Sequence, residues 1–213
     1  MIGAIDWATA ASAATAAGTV VLAIATFSAV RSGQRAARAT ELALLAGIRP
    51  VLLPSRFDDP EQKISFMDEH WVRVGGGRAS AEATNDAVYL VVSLRNVGNG
   101  LAVLDRWDLY PHREEAPTVH QEPSHFRRLT RDLYVPAGDI GLWQGAIRDP
   151  ADPLFGAVTD AIAERHAMTL DLLYGDHQGG QRTVSRFSLI PAGDAQWLAV
   201  IGRHWNLDRP DPR

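Results

Sequence analysis

The sequence predicts a mainly β protein: an N-terminal transmembrane helix and helical stalk, followed by an antiparallel β-sandwich with one inserted helix. Three observations carry this prediction. Trp7 to Val30 contains no ionisable residue. After residue 50, short apolar runs of period two alternate with turn residues, the pattern of half-buried strands. One later stretch alone, "DPLFGAVTDAIAERH", has helical spacing. The expected organisation is therefore a transmembrane helix over 1–30, a basic juxtamembrane stalk over 31–48 and a β-sandwich over 49–213.

The first segment begins with the weakly apolar "ATAASAATAAGT" and ends with the strongly apolar "VVLAIATF". As a helix, residues 7–30 would reach about 36 Å at 1.5 Å per residue, enough for a bilayer core of about 30 Å. A signal peptide would need a positive n-region, and no basic side chain precedes Trp7, although Ala23-Ile24-Ala25 could serve as a cleavage site. A buried helix of a soluble domain is the third alternative, and the anchor is preferred over both. Asp6 precedes the span, whereas Arg31, Arg35 and Arg38 follow it at i, i+4 and i+7. By the positive-inside rule this places the C-terminal body in the cytoplasm, anchored to the inner (plasma) membrane, with the three arginines at the lipid surface. Ala10, Ala14 and Gly18 form a small-residue stripe that would admit a second copy of the helix, so a homodimer is possible. "AARATELALLAG" continues as helix to Gly47, a C-cap with Pro50 beyond it, and "RPVLLPS" reads as the first strand.

In the body, "VYLVVSLRN" sets Val88, Leu90, Val92 and Leu94 on one face, with Tyr89, Ser93 and Arg95 on the other. "LAVLDRWDLY" sets Leu101, Val103, Trp107 and Leu109 together, opposite Arg106 and Asp108. Further strands are read at "ISFMDEHWVRV", "RRLTRDLYV", "IGLWQGAI", "MTLDLLYG", "RTVSRFSLI" and "QWLAVIGRHW", with "GDHQGGQ" as a hairpin loop. "GGGRASAEATND" and "PHREEAPTVHQEPS" read as loops. In the helical stretch, Asp152 is the N-cap, Pro153 takes the first helical position, and Leu154, Val158, Ala161 and Ile162 share a face. The short repeat "VPAGD" (135–139) and "IPAGD" (190–194) is turn chemistry, expected at one rim of the sandwich. "RNVGNG" superficially resembles a phosphate-binding glycine loop. Val103 stands where a third glycine would be needed and a strand follows, so Asn99-Gly100, two residues that tolerate positive φ, reads as a hairpin dipeptide at the corner joining two core strands.

Composition narrows the chemistry. With no cysteine in 213 residues, thiolate catalysis, disulfides and cysteine-bound metals are excluded. Residues 1–49 carry four arginines against Asp6 and Glu41, so the remainder bears −6 of the overall −4. An acidic body disfavours nucleic acid as a partner. His112, His120 and His125 lie near Glu114, Glu115 and Glu122, the one cluster from which a metal-dependent hydrolase site could assemble. Their spacing matches no compact ligand motif, and a solvated loop is the simpler reading. Arg127, Arg128 and Arg131 could receive an anion, but adjacent positions on a strand point to opposite faces. No P-loop, G-x-S-x-G elbow, H-E-x-x-H helix or EF-hand loop is present, so no catalytic residue, metal ligand or cofactor is assigned.

The succession of an N-terminal span, an arginine flank, "RPVLL", "LRNVGNGLAVL" and a β-rich remainder resembles a loose group of uncharacterised bacterial membrane-anchored proteins, many actinobacterial, with a small β-sandwich after one helix. The resemblance implies architecture and no activity. The functional expectation is a membrane-tethered interaction or sensing module with an unidentified protein partner. The alternatives are the hydrolase and an exported β domain.

Overall fold

The first long helix, α1 (Trp7–Gly47), runs unbroken for 41 residues because no proline interrupts it and alanine dominates its length. The structure, a computed structural model, describes residues 7–193 and 196–210, without the side chains of residues 8 and 9. Asp6, Asp194 and residues 211–213 of the C-terminal tail lie outside the described residues. The chain divides into two compact units, Met1–Ala46 and Gly47–Arg213.

Among the described residues the second unit has eleven strands and one further α-helix: β1 (Leu52–Pro54), β2 (Gln62–Ser65), β3 (Trp71–Val74), β4 (Arg78–Ala83), β5 (Val88–Asn96), β6 (Ala102–Tyr110), β7 (Arg127–Val135), β8 (Ile140–Ile147), α2 (Pro153–Ala163), β9 (Met168–Gly175), β10 (Arg182–Ala192) and β11 (Gln196–Asn206). Nine strands form one antiparallel sheet in the order β1-β5-β4-β11-β10-β9-β6-β7, with β8 also on β5. β2 and β3 form a separate hairpin. The two facing layers thus come from one sheet curling over on itself. Trp107 of β6 meets Trp143 of β8 edge-to-face across the core, with ring centroids 5.3 Å apart.

Several local expectations need correction. β5 is buried on both faces, not one: Val88, Leu90, Val92 and Leu94 enter the main core, while Tyr89 and Val91 join a second cluster with Ile64, Phe66, Val72 and Val74 of the β2–β3 segment. The hairpin covers the face that alternation alone assigns to solvent. β6 breaks phase at Asp105, where its ladders to β7 and β9 both shift register. Ala102 and Leu104, not Leu101 and Val103, therefore share the core with Trp107 and Leu109. "ISFMDEHWVRV" is two strands joined by a tight turn, with Glu69 at φ 63°. "RASAEA", read as loop because its residues are small, is β4; its alanines 79 and 81 pack inward.

The helical stretch folds as expected. Asp152 accepts the Leu154 N–H at 2.9 Å, and Val158 and Ala161 are buried. α2 ends with Arg165 in the left-handed region at φ 57°, where the His166 N–H reaches back to the Ala161 carbonyl. Nη2 of Arg165 donates to the carbonyls of Gly193 and Gln196, which holds this non-glycine residue in place. The "PAGD" turns do not share a rim. Residues 135–139 adjoin Asn96 at the end of β5, whereas 190–193 lead into the start of β11, whose Trp197 pairs with Ala79 of β4 and so lies level with Val92, away from that end.

Candidate functional site

Three regions merit description as sites, the first being α1 itself. Val20, Val21, Leu22, Ile24, Phe27 and Val30 are all more than half exposed, an apolar surface that water does not favour. The hydroxyls of Thr15, Thr19 and Thr26 each donate to the carbonyl four residues earlier, at 2.8–2.9 Å, and Ser28 donates to Ala25. These four hydroxyls are thereby satisfied within the helix, as an apolar solvent demands. The helix is long and apolar enough to cross a membrane. Arg31, Arg35 and Arg38 follow on the same helix, all exposed.

The second region is the junction at the start of the β unit, where Asn96 is completely buried. Its Oδ1 accepts from the N–H groups of Val51 (3.1 Å) and Gly98 (3.0 Å). Its Nδ2 donates to the carbonyls of Gly100 (2.6 Å) and Val135 (3.0 Å). Its own backbone engages Gly138 and Asp139. Every hydrogen-bonding direction of this amide is used. The glycines of "VGNG" serve this junction: a Cβ on Gly98 would lie 2.2 Å from the Arg49 carbonyl oxygen, and one on Gly100 1.7 Å from that of Ile48. Neither glycine adopts positive φ, and β5 and β6 are not ladder partners. The corner reading therefore stands and the hairpin reading does not; close approach of two backbones is what requires glycine here. Next to the hub, Arg49 forks onto Asp208 and donates to Asn206 at 3.1 Å, and Tyr174 Oη donates nothing to this segment but accepts the Leu52 N–H at 3.2 Å.

The third region is a seam. β7 and β8 meet at the Val135–Ile140 turn and then part, β7 to ladder with β6 and β8 with β5. β7 pairs with β6 at Val135, Tyr134 and Leu133 and again at Arg128 and Arg127, so residues 129–132 have no ladder partner on that side. Between the strands lies a cleft of about 140 Å³, lined by Trp107, Arg127, Leu129, Arg131, Gln144 and Arg148 among others. Arg127 is bidentate on Asp152 (2.6 and 2.8 Å), and that carboxylate raises its basicity against the opposing effect of burial. Arg148 donates to Asp68 at 3.0 Å, and Arg131 to Gln144 at 2.6 Å. Burial would raise the Asp68 carboxyl, but hydrogen bonds from Tyr89 Oη and Arg148 outweigh it and bring it down to about 2. No hydrogen bond or ion pair of the Arg128 guanidinium is found among the described residues.

Neither known protein families nor curated proteins yield a match to this chain.

The histidine–glutamate segment runs over the outer side of β9–β11 with two 3₁₀ turns, Arg113–Glu115 and Pro123–His125. Its histidines do not converge. His112 lies 5.1 Å from His166, His120 sits edge-on to Trp205, and His125 is exposed. Among the described residues, no group of three or more His, Asp or Glu is placed to hold a metal. Beneath this segment, Arg186 grips the fully buried Asp171 with two 2.7 Å bonds and lies over Trp205. Burial pushes the Asp171 carboxyl up despite that partner. Sequence reading missed this pair, because the two residues sit in strands that look ordinary until β9 and β10 are placed in register.

Proposed function

We propose that the protein is a membrane-tethered interaction or sensing module, held by residues 7–30 in the inner (plasma) membrane with its β unit in the cytoplasm. The exposed apolar surface of α1, with its hydroxyls turned back onto the helix, is the observation that supports it most. Arg31, Arg35 and Arg38 supply the positive flank, at about 1 kcal/mol each against an anionic leaflet. The open seam in the β unit supplies a surface for a protein partner. The reading accords with the bacterial membrane-anchored group that the chain resembles.

Because the chain has no native cysteine, single cysteines report topology directly. Glu61→Cys in the β2–β3 segment of the full chain should resist a membrane-impermeant maleimide in intact cells and react after lysis. The protein should stay with the membrane through an alkaline carbonate wash. Labelling in intact cells would assign the body to the exterior, and release by carbonate would remove the tether altogether.

A further inference from the structure

We propose that the open edge of β7, over residues 128–134, takes up an extended acidic segment of a partner protein as an added strand. The proposal rests on the body being an interaction module and not on the side of the membrane it faces.

Each N–H and C=O in a strand needs a partner, and a row of unmatched groups is a template for another chain. β7 is an end strand of the sheet, not paired with β8 along the seam. Over residues 129–132 it is also unpaired with β6. This four-residue stretch has no strand neighbour on either side, and Thr130, Arg131 and Asp132 are exposed. The adjoining cleft, with Trp107 and Leu129 in its wall, offers space for the inward side chains of an incoming strand.

Charge decides the occupant. The β unit is acidic overall, yet Arg127, Arg128, Arg131 and Arg148 line the cleft, and β8 has no ionisable residue. Asp152 and Asp68 neutralise Arg127 and Arg148. Arg131 contacts only a neutral amide in Gln144, and Arg128 has no acidic partner among the described residues. Asp132, the one acid of this stretch, is engaged by Tyr134 Oη at 3.1 Å. Two cations with no carboxylate partner among the described residues, beside an unpaired strand, favour a carboxylate-bearing peptide. A second copy of β7, paired antiparallel about Arg131 at the middle of the open edge, would set arginine against arginine, and like charges opposite one another destabilise a ladder. Two cations on an acidic body are too few for a phosphate backbone.

The test uses the full chain in phosphatidylcholine nanodiscs, with a fluorescein-labelled ten-residue peptide of alternating Glu and Val as the probe. Fluorescence anisotropy should show saturable, salt-sensitive binding, and amide exchange should slow over residues 128–134. Arg128→Glu with Arg131→Glu should weaken binding by about tenfold or more. Arg73→Glu, a charge reversal on β3, should leave it unchanged, and thermal unfolding of each variant checks that the fold persists. Alternate N-methylation of the peptide backbone, or Lys in place of Glu, should abolish binding. Absence of binding, equal binding of either control peptide, or protection confined to another strand overturns the proposal. Slowed exchange at β7 on concentrating the protein alone would assign the edge to self-association and overturn it as well. None of these outcomes touches membrane retention or maleimide accessibility, so the tether stands or falls separately.

Discussion

Replacing Asn96 by leucine keeps the side-chain volume close to that of the amide and removes all four of its hydrogen bonds at once. Two N–H groups, on Val51 and Gly98, and two carbonyls, on Gly100 and Val135, lose their side-chain partner. A buried polar group left unsatisfied costs about 1–3 kcal/mol. Gly98 and Val51 are only half-buried and can recover water, so the losses will not add in full. An expected destabilisation of about 3–5 kcal/mol follows, which for a domain of this size lowers the unfolding midpoint by roughly 10 °C. Asn96→Asp is the sharper control. It keeps both acceptor bonds but turns an oxygen toward the carbonyls that Nδ2 now reaches at 2.6 and 3.0 Å. That carboxyl would titrate above the ordinary value, so the variant should be most stable at low pH, where it can donate, and lose stability as pH rises through its folded pKa. Thermal unfolding followed by tryptophan fluorescence measures both effects, and amide exchange at Val51 and Gly98 locates them. If Asn96→Leu costs less than about 1 kcal/mol, or Asn96→Asp matches the parent at pH 7, the hub is not what holds the junction.

Other perturbations test neighbouring parts of the argument. Gly100→Ala should cost about 3 kcal/mol or more, because its Cβ meets the Ile48 backbone, whereas Gly138→Ala, at φ +74° in open space, should cost only about 1 kcal/mol; denaturant melts showing the reverse order would refute the close-approach account. Asp152→Asn should be milder than Asp152→Ala, roughly 0.5–1 against 2 kcal/mol, because the amide still caps α2 while the charge opposite Arg127 is lost. The Asp68 carboxyl lies below its unfolded value, so its contribution is complete above about pH 4 and is lost as pH falls toward about 2. Amide exchange in 62–74 should accelerate across that window, and Asp68→Asn should remove the acid sensitivity there; an unchanged acid profile in the variant would refute the assignment.

Legibility followed the range of the physics. The period-two pattern of β5 and the Asp-Pro start of α2 are local signals, and both elements formed where the sequence placed them. The phase break in β6 was legible only in part: Asp105 interrupts an apolar run, but the shift of face emerges from its ladders to two neighbours. β4 escaped notice because Ala79 and Ala81 carry too little apolar surface to register as alternation, and its burial comes from being clasped between β5 and β11. The seam shows the same limit. "LTRDL" placed three polar residues between two leucines, a visible irregularity of β7, yet Arg148 joins the cleft only through the return of β8. Asn96 had no signature at all, since its partners lie at 51, 98, 100 and 135.

The place of β11 in the sheet has a consequence for biosynthesis. It lies between β4 and β10, so the strand that joins the two parts of the sheet is the last of the eleven to be made. Until residues 196–206 have left the ribosome, β4 and β10 each present a bare edge, and the contact from Trp197 to Ala79 must close a loop of more than a hundred residues. The nascent β unit is therefore obliged to wait, partly assembled and open to mispairing, and a chain truncated before β11 should be a substrate for chaperones and proteases instead of a smaller folded protein.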